Sequence, residues 1–456
     1  MTQAAIGTEN QEGDRHLEHS KSQALLEANR QVIPGGVVSV NRATTPEIAF
    51  VRGRGCRVWD VDGNEYIDYH AAFSPYLLGH NDPDVNAAVR KVLEDEVSLM
   101  GAGTNPWEGR LAEMLVRHIP SVDKVMLTNT GSEATYHAIR LARAKTGRNH
   151  IVVMQGGYNG WHNDVAVNIM NTAKEIGPRV SPGEYSKRPL SAGIPEHVLE
   201  DVHVVNFNDL DSVSSVVAEN PVAAILLEPI LQNIGVVLPQ PGYLQGLRDL
   251  CDREGVVLIF DEVKTGFRHA LGGYQSVCDV QPDLSTFGKA LANGYPIGAI
   301  GGREGLMNSF VDPDPTRRVL IAGTYNAHPI PCAAAIATLE KLAANEKGNY
   351  DKLYGLGERL QKGLESILEE CGITASVARQ GSAFCLYFMD HAPRDWHDIL
   401  EHHDFELDKW HRQELIGRGI YHFPLPTKQG SISLAHDVKA IDTTLEKMRE
   451  VLKTRP

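Results

Sequence analysis

Three short apolar runs restrict this chain more than any other feature. "IVVMQGG" (Ile151–Gly157), "VAAILLEPI" (Val222–Ile230) and "VVLIFDEV" (Val256–Val263) are each too short for a helix and too uniformly apolar for a half-exposed strand. Such runs read as strands buried on both faces. They alternate with helical patterns such as "WEGRLAEMLVRHI" and "SEATYHAIRLARAKTG". Strand alternating with helix gives an α/β fold, a mainly parallel sheet with helices on both faces.

The chain ends have another texture. "SKSQALLEANRQVIPGG" predicts a short helix stopped by Pro34 and Gly35, and "VWDVDGNEYIDYH" predicts a hairpin turning at Asp62-Gly63. Beyond residue 333 the sequence predicts one long amphipathic helix, followed by short strands around "AFCLYFM" and "GSISLAH". The expected layout is a flexible segment over 1–20, part of a smaller α+β domain over 21–75, a large α/β domain over 76–332, and the rest of the small domain over 333–456.

Bulk properties exclude several classes. A formal net charge of -14 opposes a nucleic-acid surface, which needs clustered Lys and Arg. Six cysteines lie far apart with no CxxC, and no apolar run approaches the ~20 residues of a membrane helix. The first twenty residues have neither the basic start nor the apolar core of a signal peptide. The expectation is a cytoplasmic enzyme that meets neither membrane nor nucleic acid.

Asp261 and Glu262 end the run at Val256–Val263. Successive strand residues face opposite ways, so one of the two faces a ligand and the other a structural partner, with Arg268 as the candidate. A buried carboxylate needs a cationic partner. Taken alone, Asp261 reads as a cap for the following turn. Gly131 and Ser132 precede a helix, with Ser132 as the expected N-cap; free N–H groups there make an anion site, though most such caps bind nothing. Lys289 sits among glycines in "DLSTFGKALANGYPIGAIGG", a setting that suits a lysine attacking a carbonyl, or else an ordinary surface lysine. Tyr158 and Trp161, after a strand, can stack on a planar ring or simply pack. No Walker A motif and no strand-linked GxGxxG is present. One ligand asks for a phosphate site, an aromatic, a buried acid and a reactive lysine together: pyridoxal 5'-phosphate, whose protonated ring nitrogen would meet Asp261. A histidine-rich stretch, "DWHDILEHHDFELDKWHR", holds His397, His402, His403 and His411 at no standard zinc spacing and reads as a solvated helix face, with no metal expected.

From about residue 20 to the C-terminus the chain resembles class III, fold-type I pyridoxal-phosphate aminotransferases, and within them glutamate-1-semialdehyde 2,1-aminomutase and its relatives. The resemblance rests on "IPGGVVSVNR", "VWDVDGNEYIDY", "TNTGSEA", "LEPILQNIGVV", "FDEVKTGFRHALGGYQ", "DLSTFGKALANGYPIGAIGGR", "AGTYNAHPI" and "SISLAHD". It implies a cofactor held as a Schiff base on Lys289, which then shuttles the proton. It pairs Asp261 with the ring nitrogen, sets Val263 and Tyr158 on the two ring faces, and brings Asn233 to the ring hydroxyl. Gly131 and Ser132 would bind the phosphate, Thr324 would reach the phosphate of the neighbouring subunit, and Arg42 would hold a substrate carboxylate. A homodimer with shared active sites follows from the same resemblance.

Three departures from the aminomutase pattern stand out. Lys428 lies where an acidic residue is usual, Lys264 where Met is usual, and Asn159 where His is usual. None is expected to touch the core cofactor apparatus, and all are compatible with a changed substrate. The reading is an aminotransferase passing an amino group between an amine other than a standard α-amino acid (a β-amino acid, ω-amine or amino sugar) and a keto acid. The alternatives are a true aminomutase forming 5-aminolevulinate, and a non-catalytic dimeric binding module, against which the retained Lys289 and Asp261 argue.

Overall fold

The computed structural model describes residues 17–456. The flexible segment expected over 1–20 falls mostly outside the described residues, and a helix, Ser20–Arg30, starts at its last position. Strands β1 (Phe50–Arg54), β2 (Arg57–Asp60) and β3 (Glu65–Asp68) form an antiparallel meander, with the predicted hairpin between β2 and β3. The hairpin's Asp62 reaches back to the first helix, accepting from the amides of Lys21 (2.7 Å) and Ser22 (3.0 Å). Two orphan donors at the helix start are thereby satisfied from outside the helix.

The large sheet contains β4 (Lys124–Thr128), β5 (His150–Met154), β6 (Val202–Val205), β7 (Val222–Leu227), β8 (Val257–Asp261), β9 (Leu284–Phe287) and β10 (Gly298–Gly302). Their order is β4-β10-β9-β8-β7-β5-β6, and β10 alone runs against the rest. Every residue of β7 and β8 is buried, as uninterrupted apolar strands between two helical layers require. Among the described residues two large apolar cores result, beside a small cluster of Val58, Tyr66, Ile416 and Tyr421. One packs β5 to β8 against helices such as Tyr243–Glu254; the other joins Pro83–Glu94, Pro106–His118 and Pro329–Ala344 to the C-terminal helices.

The chain ends meet in the smaller α+β part. Strand β11 (Ser376–Gln380) pairs with β12 (Ala383–Tyr387). Strand β13 (Ile420–Tyr421) lies parallel to β3, and β14 (Gly430–Ser431) pairs with β12. The single long helix expected after residue 333 is broken at Asn345, which leaves helical geometry (φ -142°, ψ 54°) between Pro329–Ala344 and Glu346–Cys371. The Asn349 amide donates to the carbonyls of Lys341 and Leu342, both at 3.1 Å, and so stabilises the end of the first helix. Because Pro329–Ala344 packs on Pro83–Glu94 and Pro106–His118, we propose that the domain division lies at this break and not at residue 333.

Arg268 is fully buried but does not serve Glu262, contrary to expectation. Its guanidinium donates to Ser382 Oγ (3.1 Å) and the Ile432 carbonyl (3.3 Å), and also to the Ser74 carbonyl. One side chain thus ties the large sheet to both chain ends. Glu262 is met instead by Thr265 Oγ1 and the amides of Tyr274 and Gln275, the latter two at 3.0 Å. Arg268→Ala is expected to destabilise the fold by about 2–4 kcal/mol, since charge-assisted bonds are lost and buried carbonyls are orphaned. Denaturant unfolding against the parent chain checks this; an unchanged midpoint would show that the link is not structural.

Candidate active site

The carboxyl ends of β4, β5, β7, β8 and β9 open onto one region, the edge where parallel sheets hold their ligands. Asp261, the last residue of β8, is 3% exposed. Its Oδ2 accepts from Asn159 Nδ2 (2.8 Å), and its Oδ1 accepts from the Val263 amide (3.0 Å) and Thr286 Oγ1 (3.2 Å). The Thr286 contact follows from register, because β8 and β9 pair Asp261 with Thr286. Burial raises the pKa of Asp261 despite these donors and the nearby Lys289, so a further cation would be stabilising.

Lys289 follows Gly288 at the end of β9 and adopts φ 44°, in the left-handed region that a side-chain-bearing residue seldom occupies. Its ammonium makes no hydrogen bond and no ion pair among the described residues. Burial lowers its pKa, opposed by Asp261 and Glu228. A lysine held this way presents a free, easily deprotonated amine.

The helix Gly131–Thr146 starts beside it. Its N-cap is Thr130, whose Oγ1 accepts from the Glu133 amide (3.2 Å), so Ser132 is the second helical residue and not the expected cap. This correction strengthens the anion site: the amides of Gly131 and Ser132 are left without a partner among the described residues. Val263 sits between this helix and the lysine. A Cβ on Gly131 would lie 2.7 and 2.8 Å from the Val263 methyls, and one on Gly288 would lie 3.4 Å away. Gly131 is therefore needed for the close approach, whereas a Cβ at Gly288 would meet Val263 at an ordinary contact distance.

The Tyr158 amide donates to Glu228 Oε1 (3.0 Å), and the tyrosine is 36% exposed, open on one side. Trp161 is 68% exposed, turned to solvent and not toward the site. Asn233 Nδ2 donates to the Gly156 carbonyl (3.1 Å). Thr324 lies in an exposed loop whose Asn326 accepts from Asn129 Nδ2 (3.0 Å), one residue before the helix cap. Arg42, in the short helical turn Val40–Arg42, lines a cleft of about 630 Å³ with His70, Phe73, Tyr421 and Phe423. Residues Ala71 to Ser74 border this cleft with four successive positive φ values, 48°, 51°, 67° and 83°. Asp68 Oδ1 holds the turn by accepting from the amides of His70 (2.8 Å) and Ala71 (3.0 Å).

Contrary to the expectation that none touches the cofactor apparatus, two of the three departures contact residues assigned to it. Asn159 holds Asp261 directly. Lys428 Nζ donates to Asn233 Oδ1 (2.9 Å), and Lys264 Nζ donates to the carbonyl of the neighbouring Gln232 (2.6 Å). Glu228, at the end of β7, also belongs to the site and was not singled out from the sequence. Its signal was present, since "ILLEPI" runs an apolar strand into a carboxylate just as "LIFDEV" does.

The histidine-rich stretch is not a solvated face. His397 stacks on Tyr185 with ring centroids 5.5 Å apart, His403 Nε2 meets Asp408 (3.2 Å), and His411 is buried. His402 and His391 share Asp398 Oδ1 at 3.1 and 3.0 Å.

A free amine, a buried acid short of a cation and two open helix amides fit pyridoxal 5'-phosphate. Fold and site define a fold-type I pyridoxal-phosphate enzyme. Residues 38–405 match the family described as aminotransferase class-III, and the chain belongs to that family, which uses this cofactor. It is 37% identical over 437 residues to a glutamate-1-semialdehyde 2,1-aminomutase of Methanothrix thermoacetophila, covering 95% of this chain and 97% of that one. An omega-transaminase from Sphaerobacter thermophilus superposes with a TM-score of 0.87 at 32% identity, over 95% and 97% of the two chains. A beta-phenylalanine aminotransferase from Variovorax paradoxus gives 0.82 at 28% identity, over 94% and 93%. Among the described residues no helix is long and apolar enough to cross a membrane.

Proposed function

We propose that this enzyme is a transaminase that moves an amino group from an amine other than a standard α-amino acid, with a keto acid as the acceptor. Pyridoxal 5'-phosphate, when bound, supplies the electron-withdrawing ring that stabilises negative charge at the substrate carbon. Lys289 Nζ would hold the cofactor and would carry the proton taken from the substrate carbon. Asp261 would keep the ring nitrogen protonated, and Asn159 and Thr286 hold its carboxylate in place. Gly131 and Ser132 would hold the phosphate, Val263 and Tyr158 would flank the ring, and Asn233 would stand near its hydroxyl. Thr324 completes the phosphate site of a second subunit in a homodimer, and Arg42 takes a substrate carboxylate from the cleft.

The observation that carries the reading is Lys428 on Asn233, a cation inside the site where the aminomutase pattern has an acid. The relatives in Sphaerobacter and Variovorax, a transaminase and an aminotransferase, support it. Several relatives at 37–38% identity are aminomutases, which keeps the mutase as a second reading. Incubating holoenzyme with glutamate-1-semialdehyde alone separates the two. Transamination expects no sustained 5-aminolevulinate, and a shift of the cofactor from aldehyde to amine form once a β-amino acid or ω-amine is added. Sustained 5-aminolevulinate production would establish the mutase. In the same assay Arg42→Ala should raise KM for carboxylated amines about tenfold and leave a simple amine unaffected, as removal of one charge-assisted contact predicts. Equal losses would give Arg42 another role.

A further inference from the structure

Tyr387 ends β12 in the C-terminal part of the chain, yet its hydroxyl works on a turn beside the large sheet. After β7 the chain doubles back: Leu231 and Val237 exchange both backbone hydrogen bonds at 3.1 Å, with Asn233 in the turn between them. The Val236 amide donates to Tyr387 Oη (2.8 Å), and Tyr387 Oη donates to the Ile234 carbonyl (2.7 Å). The two bonds straddle Gly235. That glycine has φ 105°, and a Cβ on it would collide with the Tyr387 hydroxyl and lie 2.8 Å from Cys385 Sγ. A side chain at 235 would therefore push the turn away from β12.

Tyr387 has no exposed surface. From Leu231 to Val237 every residue is buried except Asn233, which is half-buried. Burial raises the pKa of the Tyr387 phenol well above its ordinary value, so the proton for the Ile234 bond stays in place. Asn233 Nδ2 reaches the Gly156 carbonyl (3.1 Å), just beyond β5, and Lys428 Nζ meets the carbonyl and Oδ1 of Asn233 (both 2.9 Å). Those contacts grip Asn233 itself. Tyr387 instead grips the backbone that follows it. Without the hydroxyl, one buried N–H and one buried C=O lose their partner, a penalty the turn escapes by shifting and carrying Asn233 with it.

We propose that Tyr387 is a positioning residue for the cofactor: its hydroxyl sets where Asn233 stands against the ring hydroxyl, through the turn Leu231–Val237. The role rests on the place proposed above for Asn233 and adds a residue from the C-terminal part of the chain to it. A donor beside the ring hydroxyl favours the ionised form of that group and so shifts the cofactor's visible absorption. A residue that only stabilised the fold would leave the absorption where it is.

The test compares four holoenzymes: the parent, Tyr387→Phe, Asn233→Ala and the double variant. Each is first checked for folding by its denaturation curve. Tyr387→Phe keeps the ring and removes the hydroxyl alone. It should speed cofactor loss on dilution about tenfold, as loss of one contact made through Asn233 predicts, and shift the visible absorption band. In the Asn233→Ala background the same substitution should change the loss rate by less than about twofold and leave the band in place. Parental cofactor retention and absorption in Tyr387→Phe would overturn the role. So would an effect of equal size in both backgrounds, because Tyr387 would then not act through Asn233. If Asn233→Ala itself matches the parent, the place proposed for Asn233 fails, and the role of Tyr387 falls with it. Should Tyr387→Phe not fold, Gly235→Ala, which crowds the turn off the hydroxyl, takes its place in the same cycle with the same outcomes.

Discussion

Lys289→Ala should lower turnover by at least about 10³-fold, because the covalent anchor and the proton carrier are lost together. The fold should survive. The ammonium makes no hydrogen bond within the described protein, so its removal orphans no partner and relieves a buried charge opposed by desolvation. The unfolding midpoint should therefore stay close to the parent's while the cofactor's visible absorption changes. Steady-state kinetics beside a denaturation curve checks both halves. A folded variant with more than about a tenth of parental activity is incompatible with the role proposed for Lys289.

Asp261→Asn is the second large effect. The substitution keeps shape and removes the charge that holds the proton on the ring nitrogen. Breaking a buried charge pair costs about 3–5 kcal/mol, so kcat/KM should fall by about 10²–10⁴. Asn159 adds a complication that the geometry resolves. Its Nδ2 donates to Asp261 Oδ2, and a new amide nitrogen there would face another donor. Asn159 can flip and present its oxygen, so the fold should tolerate the change. Asp261→Glu keeps the charge but displaces it by one methylene and should lose less. Comparing kcat/KM and cofactor affinity across the three proteins tests the order; equal activity in parent and Asp261→Asn would remove Asp261 from the mechanism.

Much of this was legible in the sequence for definite reasons. Strands buried on both faces leave continuous apolar runs, so β5, β7 and β8 could be read directly. The opposite facing of Asp261 and Glu262 follows from the period of a strand, and their separate partners bear it out. What could not be read depends on contacts between distant residues. Arg268 is close in sequence to Glu262 yet bonds Ser74, Ser382 and Ile432. Asn159 meets Asp261 across 102 positions, and Lys428 meets Asn233 across 195. The cap at Thr130 was ambiguous because Thr and Ser both cap helices and stand two residues apart. The break at Asn345 carries no Pro, and its Gly348 falls three residues on, inside the next helix; Asn349 holds the break.

Three lysines in one site make the identity of the anchor the central question. Borohydride reduction of the yellow holoenzyme, followed by digestion and mass spectrometry of the pyridoxyl-bearing peptide, answers it directly. The label is expected on Lys289. A label on Lys264 or Lys428, or a protein that binds cofactor without any reducible bond, would contradict the assignment of Lys289 as anchor and proton carrier.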